Sequence, residues 1–215
     1  MIVNIVPLGF LGIGDLFPVT LNFAAMLGNR VGIERKEAMV SDNEFVRLTR
    51  KNNKAFSSII QRYQDPLLRY IIFFCDTRSA SSLIQEIFVS AYVNLNEYDE
   101  SISFSSWIYR ITHKEIAGRL KESKLRHELD GGSFPLEQMA KAIIAVFPDW
   151  EHYSIQQLVA SVQQLQGRHR DIMVLKYSEG KSSQEISDIL ELNIDTVSSL
   201  TRLAEDEINQ YLKKA

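Results

Sequence analysis

From Asp42 to the C-terminus, apolar residues recur at steps of three and four, and no stretch alternates with the period of two that a half-buried strand needs. Phe56, Ile60, Tyr63, Leu67, Tyr70 and Phe74 form one stripe. Ala80, Leu83, Ile84, Ile87, Phe88, Ala91, Tyr92 and Leu95 form the next. Phe104, Trp107, Ile108 and Ile111 begin a third, on a helix expected from about Phe104 to Arg126. Ile155, Leu158, Val159, Val162 and Leu165 mark a helix in the last third, followed by Asp171 to Tyr177, which Gly180 should stop. The chain is therefore expected to be all-α.

Breaks in this pattern divide it. Gly131, Gly132 and Pro135 interrupt helices, and residues 127–150 turn acidic, so they read as a linker, with a short helix from Met139 to Phe147 ended by Pro148. Two small helical domains follow from this, at 42–126 and 151–215. Residues 1–41 are an extension of another character. Between Met1 and Asn29 the only charge is Asp15, yet Pro7, Pro18 and several glycines break the apolar run, which argues against a spanning helix. Met39-Val40-Ser41-Asp42 reads as a fresh start, so the extension is expected to be a misassigned start or disordered.

The net charge of −3 does not suggest a nucleic-acid binder, but its distribution does. Residues 40–126 carry thirteen basic and ten acidic groups, whereas residues 167–215 carry seven and nine. Arg110, Lys114, Lys121 and Lys124 fall near one side of the third helix, with Arg119 and Arg126 beside them, a stripe able to neutralise phosphates and release counterions. His113 lies among these cations without a second metal ligand and reads as surface or phosphate-facing. Trp107, between Phe104 and Ile111, reads as core.

The strongest local signal is a pair of helices at 182–212. Ser182 with Glu185 forms a capping box, opening a helix through Leu190. Glu191 to Ile194 makes the turn, and Asp195 is placed to cap the final helix, Thr196 to Leu212. Such a pair can cross steeply and present its second helix to a major groove. Its expected core stripe is Val197, Thr201, Ala204 and Ile208, which leaves Leu200 and Leu203 at an edge where a protein contact is expected.

Other classes find little support. Cys75 is the only cysteine, so no intramolecular disulfide can form, which points to a reducing, cytoplasmic compartment; among Ile71, Ile72, Phe73 and Phe74 it reads as a small buried apolar residue. No paired carboxylates, phosphate-cradling glycine loop, nucleophile motif or metal cluster is present, so no catalytic residue, metal site, cofactor or small-molecule substrate is expected.

At these motifs the chain resembles the bacterial sigma-factor family, most of all its extracytoplasmic-function group. The run from Leu165 to Gly180, with the helix pair after it, resembles region four. Arg62-Tyr63, Asp65-Pro66-Leu67-Leu68-Arg69-Tyr70 and Leu83 to Tyr92 resemble region two and its polymerase-binding helix. Phe104 to Ile111 resembles the helix that engages the minus-ten element. The resemblance implies a promoter-specificity subunit of RNA polymerase, with promoter DNA and the polymerase core as partners and an anti-sigma factor as a further one. It assigns polymerase binding to Leu83, Gln85, Glu86, Phe88 and Tyr92. It assigns minus-ten contact to Arg110, His113, Lys114, Lys121 and to Tyr98, which would stack on an unstacked base in the connector or else anchor that loop. It assigns the minus-thirty-five element to Thr196, Ser198, Ser199 and Arg202.

The sequence departs from the family at two places. Ser79, Ser81 and Ser82 stand where acids usually lead the polymerase-binding helix. Ser198, Leu200, Leu203 and Glu205 stand where the recognition helix usually carries Lys or Arg, and Glu205, Asp206 and Glu207 would repel a phosphate backbone they faced. These departures sustain a second reading, a degenerate sigma-like regulator that works through protein contacts without promoter-specific binding.

Overall fold

The structure is a computed structural model that describes residues 41–52, 55–75, 77–123, 140–141, 143–144, 147, 150 and 152–214; at 51, 77, 78 and 120–123 it describes the backbone alone. The N-terminal extension up to residue 40 and most of the expected linker lie outside the described residues. Every regular element among the described residues is helical. Two compact units divide between Ile59 and Ile60.

In the first unit, α1 spans Asp42–Lys51. Ser41 is its N-cap: the side-chain oxygen accepts from the Glu44 amide at 3.3 Å, and Asp42 and Glu44 place negative charge on the first turn. Phe45 and Val46 are its buried residues.

The second unit contains most of α2 (Phe56–Ile71), then α3 (Thr77–Val93) and α4 (Phe104–Ser123). α2 continues through Pro66, whose ring nitrogen cannot donate to the preceding turn. Its apolar stripe holds it in place: Tyr63, Leu67, Tyr70 and Ile71 are all buried. α3 and α4 pack on each other, and Leu83, Ile87, Phe88, Phe104 and Ile108 are no more than 2% exposed. Each such side chain contributes about 1.5–3 kcal/mol on burial. Ser103 starts α4, its hydroxyl oxygen accepting from the Ser106 amide at 2.9 Å. Trp107 packs tilted against Phe104 and Tyr98, as expected of a core residue.

The C-terminal helices belong to this same unit. They are α5 (Ile155–Gln164), α6 (Gly167–Met173), α7 (Ser183–Leu190) and α8 (Ile194–Leu212). α6 runs into a wider π turn at Val174–Ser178, and Gly180 then reverses the chain with φ 63°. Ser182 and Glu185 form the expected capping box on α7. α8 crosses α5, α6 and α7, burying Val197, Thr201, Ala204, Ile208 and Leu212, so the expected stripe is the buried one. The cap of α8 is not Asp195 but Asn193, whose side chain accepts from the Thr196 amide at 2.7 Å. The cause is the turn: Glu191 takes a left-handed φ of 54°, and the chain is back in register by Ile194, two residues earlier than the acid suggested.

α4 lies along α7, so the helix of the first lobe and the first helix of the C-terminal pair form one interface. Phe147 and Trp150, from the end of the expected linker, stack at 4.7 Å, and Phe147 reaches Tyr177 at 6.2 Å.

Candidate nucleic-acid interface

The residues assigned by resemblance fall into three groups, and burial sorts them. On α3, Leu83 and Phe88 are each 2% exposed. They are core, because the apolar stripe that made the helix recognisable is the stripe that packs on α4. Neither offers a surface to a polymerase, and this corrects the assignment. Gln85 and Glu86 are exposed and Tyr92 is half-buried. Their face also carries Val89 and Val93, 36% and 59% exposed, which sequence reasoning passed over. The signal that could have found them is their place one step off the stripe: two valines on a face that should be polar. Glu86 accepts from Arg119 of α4 at 2.6 Å, an exposed ion pair between the two helices.

The α4 group is less open than its sequence implied. The connector before the helix does not present Tyr98. Its ring is 3% exposed, against Phe104 at 5.3 Å and Trp107 at 5.4 Å, and its hydroxyl donates to the Ile102 carbonyl at 3.0 Å. Tyr98 anchors the loop and offers no face to a base. The exposed part of that loop is acidic: Asp99 accepts from the Ser101 hydroxyl and amide, and the hydroxyl bond first of all holds its carboxyl below the usual range.

His113 is also corrected. It is held between α2 and α6 rather than facing solvent. The Tyr70 hydroxyl and Nδ1 share a hydrogen bond at 3.1 Å, and Nε2 faces Asp171 at 3.7 Å. Burial, with Arg168 adding to it, lowers its pKa to about 4, so it is neutral at physiological pH and cannot pair with phosphate. Asp171 is pushed the other way, to about 6, by the same burial.

Arg110 and Lys114 lie on the expected side of α4, where both meet Glu191 at the end of α7; Arg110 is half-buried there and Lys114 stays exposed. Arg110 Nε donates to the Asp188 carbonyl at 2.7 Å, and its guanidinium lies 3.6 Å from Glu191. Lys114 reaches the other oxygen of Glu191 at 2.9 Å. That bond, more than the charges of Lys114 and Arg110, holds the Glu191 carboxyl below its usual range. The side chain of Lys121 lies outside the described residues, as do Lys124 and Arg126.

On α8 the residues assigned to the minus-thirty-five element are mostly open. Ser198, Ser199 and Arg202 are exposed and Thr196 is half-buried. The Ser198 hydroxyl donates back to the Ile194 carbonyl at 2.9 Å. Two of the three acids turn away from this face. Glu205 accepts from Lys176 at 3.0 Å and from the Tyr177 hydroxyl at 2.7 Å, and Glu207 bonds His169 at 2.7 Å. Burial, then the bond to Glu205, keeps the Tyr177 hydroxyl protonated. Of the expected edge beside the buried stripe, Leu203 is 49% exposed and Leu200 is half-buried; Ile194, 45% exposed, lies outside that expectation.

Residues 59–125 match the sigma-70 region 2 family. The chain is similar to the ECF RNA polymerase sigma factor SigW of Bacillus subtilis, 29% identical over 168 residues, covering 74% of this chain and 89% of SigW. The similarity thus runs through both lobes. Residues 59–125 thus carry a sigma-70 region 2 match, and over most of its length the chain is similar to extracytoplasmic-function sigma factors.

A second relative, the RNA polymerase sigma-H factor of Pseudomonas aeruginosa, is 25% identical over 178 residues, covering 78% of this chain and 91% of its own. Among solved structures, CnrH in complex with the cytosolic domain of CnrY is similar with a TM-score of 0.59 at 18% identity, over 80% of this chain and 97% of CnrH. The sigma factor RpoE in complex with the anti-sigma factor NepR from Bartonella quintana gives 0.53 at 15%, over 74% and 98%. These confirm the all-helical fold. No described helix is long and apolar enough to cross a membrane, and no described group of His, Cys, Asp or Glu could hold a metal ion.

Proposed function

We propose that this protein is a promoter-specificity subunit that binds the RNA polymerase core, recognises promoter DNA through two helical domains and promotes initiation. The observation that carries the reading is the order of parts: a region-two match at 59–125, then a capped helix pair with an exposed reading end, α7 and α8. Polymerase contact falls to the open face of α3, at Gln85, Glu86, Val89 and Val93. Arg110 and Lys114 meet the minus-ten region, and Ser198, Ser199 and Arg202 dock near base edges and phosphates of the minus-thirty-five element. The chain itself catalyses nothing in this scheme and works in the cytoplasm, where the polymerase does the chemistry. Residues 42–126 and 151–215 act as separable lobes, with 127–150 as tether. An anti-sigma factor would find an apolar edge at Ile194 and Leu203.

Affinity capture of the tagged full chain from cells, followed by transcription with purified core enzyme, tests this. Recovery of core subunits and specific transcripts is expected; absence of both overturns the reading. The regulator without promoter binding keeps one observation in its favour, the lack of any acid in the first turn of α3. It predicts core capture without specific transcripts.

A further inference from the structure

The start of α8 offers few groups able to tell one base pair from another by hydrogen bonding. Paired bonds to guanine or adenine take Arg, Lys, Asn or Gln. None of these occurs from Ile194 to Thr201, and Arg202 is the only cation between Ile194 and Leu212. Asn193, just outside the helix, has its side-chain oxygen committed to the Thr196 amide. The Ser198 hydroxyl donates to the Ile194 carbonyl.

What the first turn does present is apolar. Ile194 is the first residue of α8 and 45% exposed. The turn before it is pinned twice, since the Leu192 carbonyl accepts from the Ser187 hydroxyl at 2.6 Å and the Leu192 amide donates to the Ser187 carbonyl at 3.1 Å. A β-branched side chain in a helix is held close to one rotamer, so the Ile194 side chain projects from a fixed place. The charges around it suit a polyanion. Arg202 is exposed, whereas Glu205 and Glu207 are held by Lys176, Tyr177 and His169. Asp206 is exposed but about three turns along, beyond the end that enters a groove. Asp195, exposed beside Ile194, can accept from the amino group of a cytosine or adenine.

In a helix-turn-helix the N-terminal residues of the second helix meet base edges, and the C5 methyl of thymine is the apolar feature of the major groove. We propose that Ile194 is a specificity-determining residue that packs on a thymine methyl group of the upstream promoter element. This chain then reads that position by apolar contact where its helix lacks the side chains for hydrogen-bonded readout. The inference rests on the reading of α8 as the helix that meets the minus-thirty-five element.

Uracil pairs as thymine does and lacks only the methyl group, so it isolates the contact. The full chain is assembled with core polymerase, and duplexes with a randomised upstream segment are selected for binding. Each thymine of the selected duplex is then replaced in turn by uracil. The wild type is compared with Ile194→Ala and, as a control elsewhere on α8, Leu203→Ala; thermal melts check that all three are equally folded. For the wild type and Leu203→Ala, one uracil should weaken binding by about fourfold, the effect of one buried methyl-sized group. Ile194→Ala should bind the thymine and uracil duplexes equally. A wild type indifferent to uracil at every position, which would leave Ile194 to a protein partner, overturns the inference, and so does an Ile194→Ala variant that keeps the full preference. Either result leaves the proposed function standing, because a sequence was selected. Selection of no sequence at all defeats the proposed function and the inference with it.

Discussion

The Tyr109 hydroxyl donates to Glu179 Oε2 at 2.6 Å, joining α4 to the loop that precedes α7 across 70 positions of sequence. Burial first, and then the negative charge of Glu179, raises the phenol far above its ordinary range, so the proton stays on Tyr109 and the bond is charge-assisted. Tyr109→Phe removes the donor and leaves a half-buried carboxylate short of one partner. A loss of about 2 kcal/mol is expected, which lowers the melting temperature by about 4–8 °C. Thermal melts followed by circular dichroism measure it, and an unchanged midpoint would show that the bond adds nothing to stability.

His113 and Asp171 face one another across α4 and α6 with opposite shifts. The groups around them are Tyr70 on α2 and Arg168 and Arg170 on α6. His113 is lowered from 6.5 to about 4, so its contribution is present above 6.5 and disappears as pH falls through 4. Asp171 is raised from 3.8 to about 6, so its contribution is present below 3.8 and disappears as pH rises through 6. Between 4 and 6 the two oppose each other, and the wild type should be nearly flat there. Asp171→Asn should lose stability on acidification from 6.5 towards 4, and His113→Asn on alkalinisation from 4 to 6. Urea midpoints across this range check the signs; a wild type that falls steeply, or variants with the same slope, would contradict them.

Arg202 is exposed at the reading end of α8. If it meets a phosphate, Arg202→Ala weakens promoter binding by the holoenzyme across sequences and lowers the salt slope by about 1. If it reads a base, discrimination falls at one position by about 1–3 kcal/mol while the slope changes less. Binding titrations over a salt series on matched and mutated promoters separate the two, and an unaltered titration would remove Arg202 from the interface.

Val93 is 59% exposed on the outer face of α3. Val93→Asp leaves the core untouched, so its melting temperature should stay near that of the wild type. Its affinity for core polymerase should drop at least about tenfold if this face docks, the equivalent of about 1.4 kcal/mol. Competition for core enzyme against the wild type measures it. Equal competition would place the docking face elsewhere.

Helix positions, the Ser182–Glu185 capping box and the buried stripe Val197, Thr201, Ala204, Ile208 were legible in the sequence, because period and capping are local rules. The turn was read less well: Glu191 to Ile194 was placed, but Asn193 replaced Asp195 as cap once Glu191 adopted a left-handed backbone. Side-chain availability was not legible. Leu83 and Phe88 resembled a docking motif, yet the stripe that identifies α3 is the one packing consumes. Tyr98 and His113 were read as exposed from polar neighbours in sequence, whereas their neighbours in space are Trp107, Tyr70 and Asp171.

The sequence alone determined that the described elements are helical, the capped start of α7 and the buried stripe of α8, since each depends on residues within a turn or two of one another. Only the tertiary structure decided that Arg110 and Lys114 meet Glu191, and that Glu205 and Glu207 turn inward. Charge acts through space, and an ion finds its partner from an element whose distance no local pattern encodes.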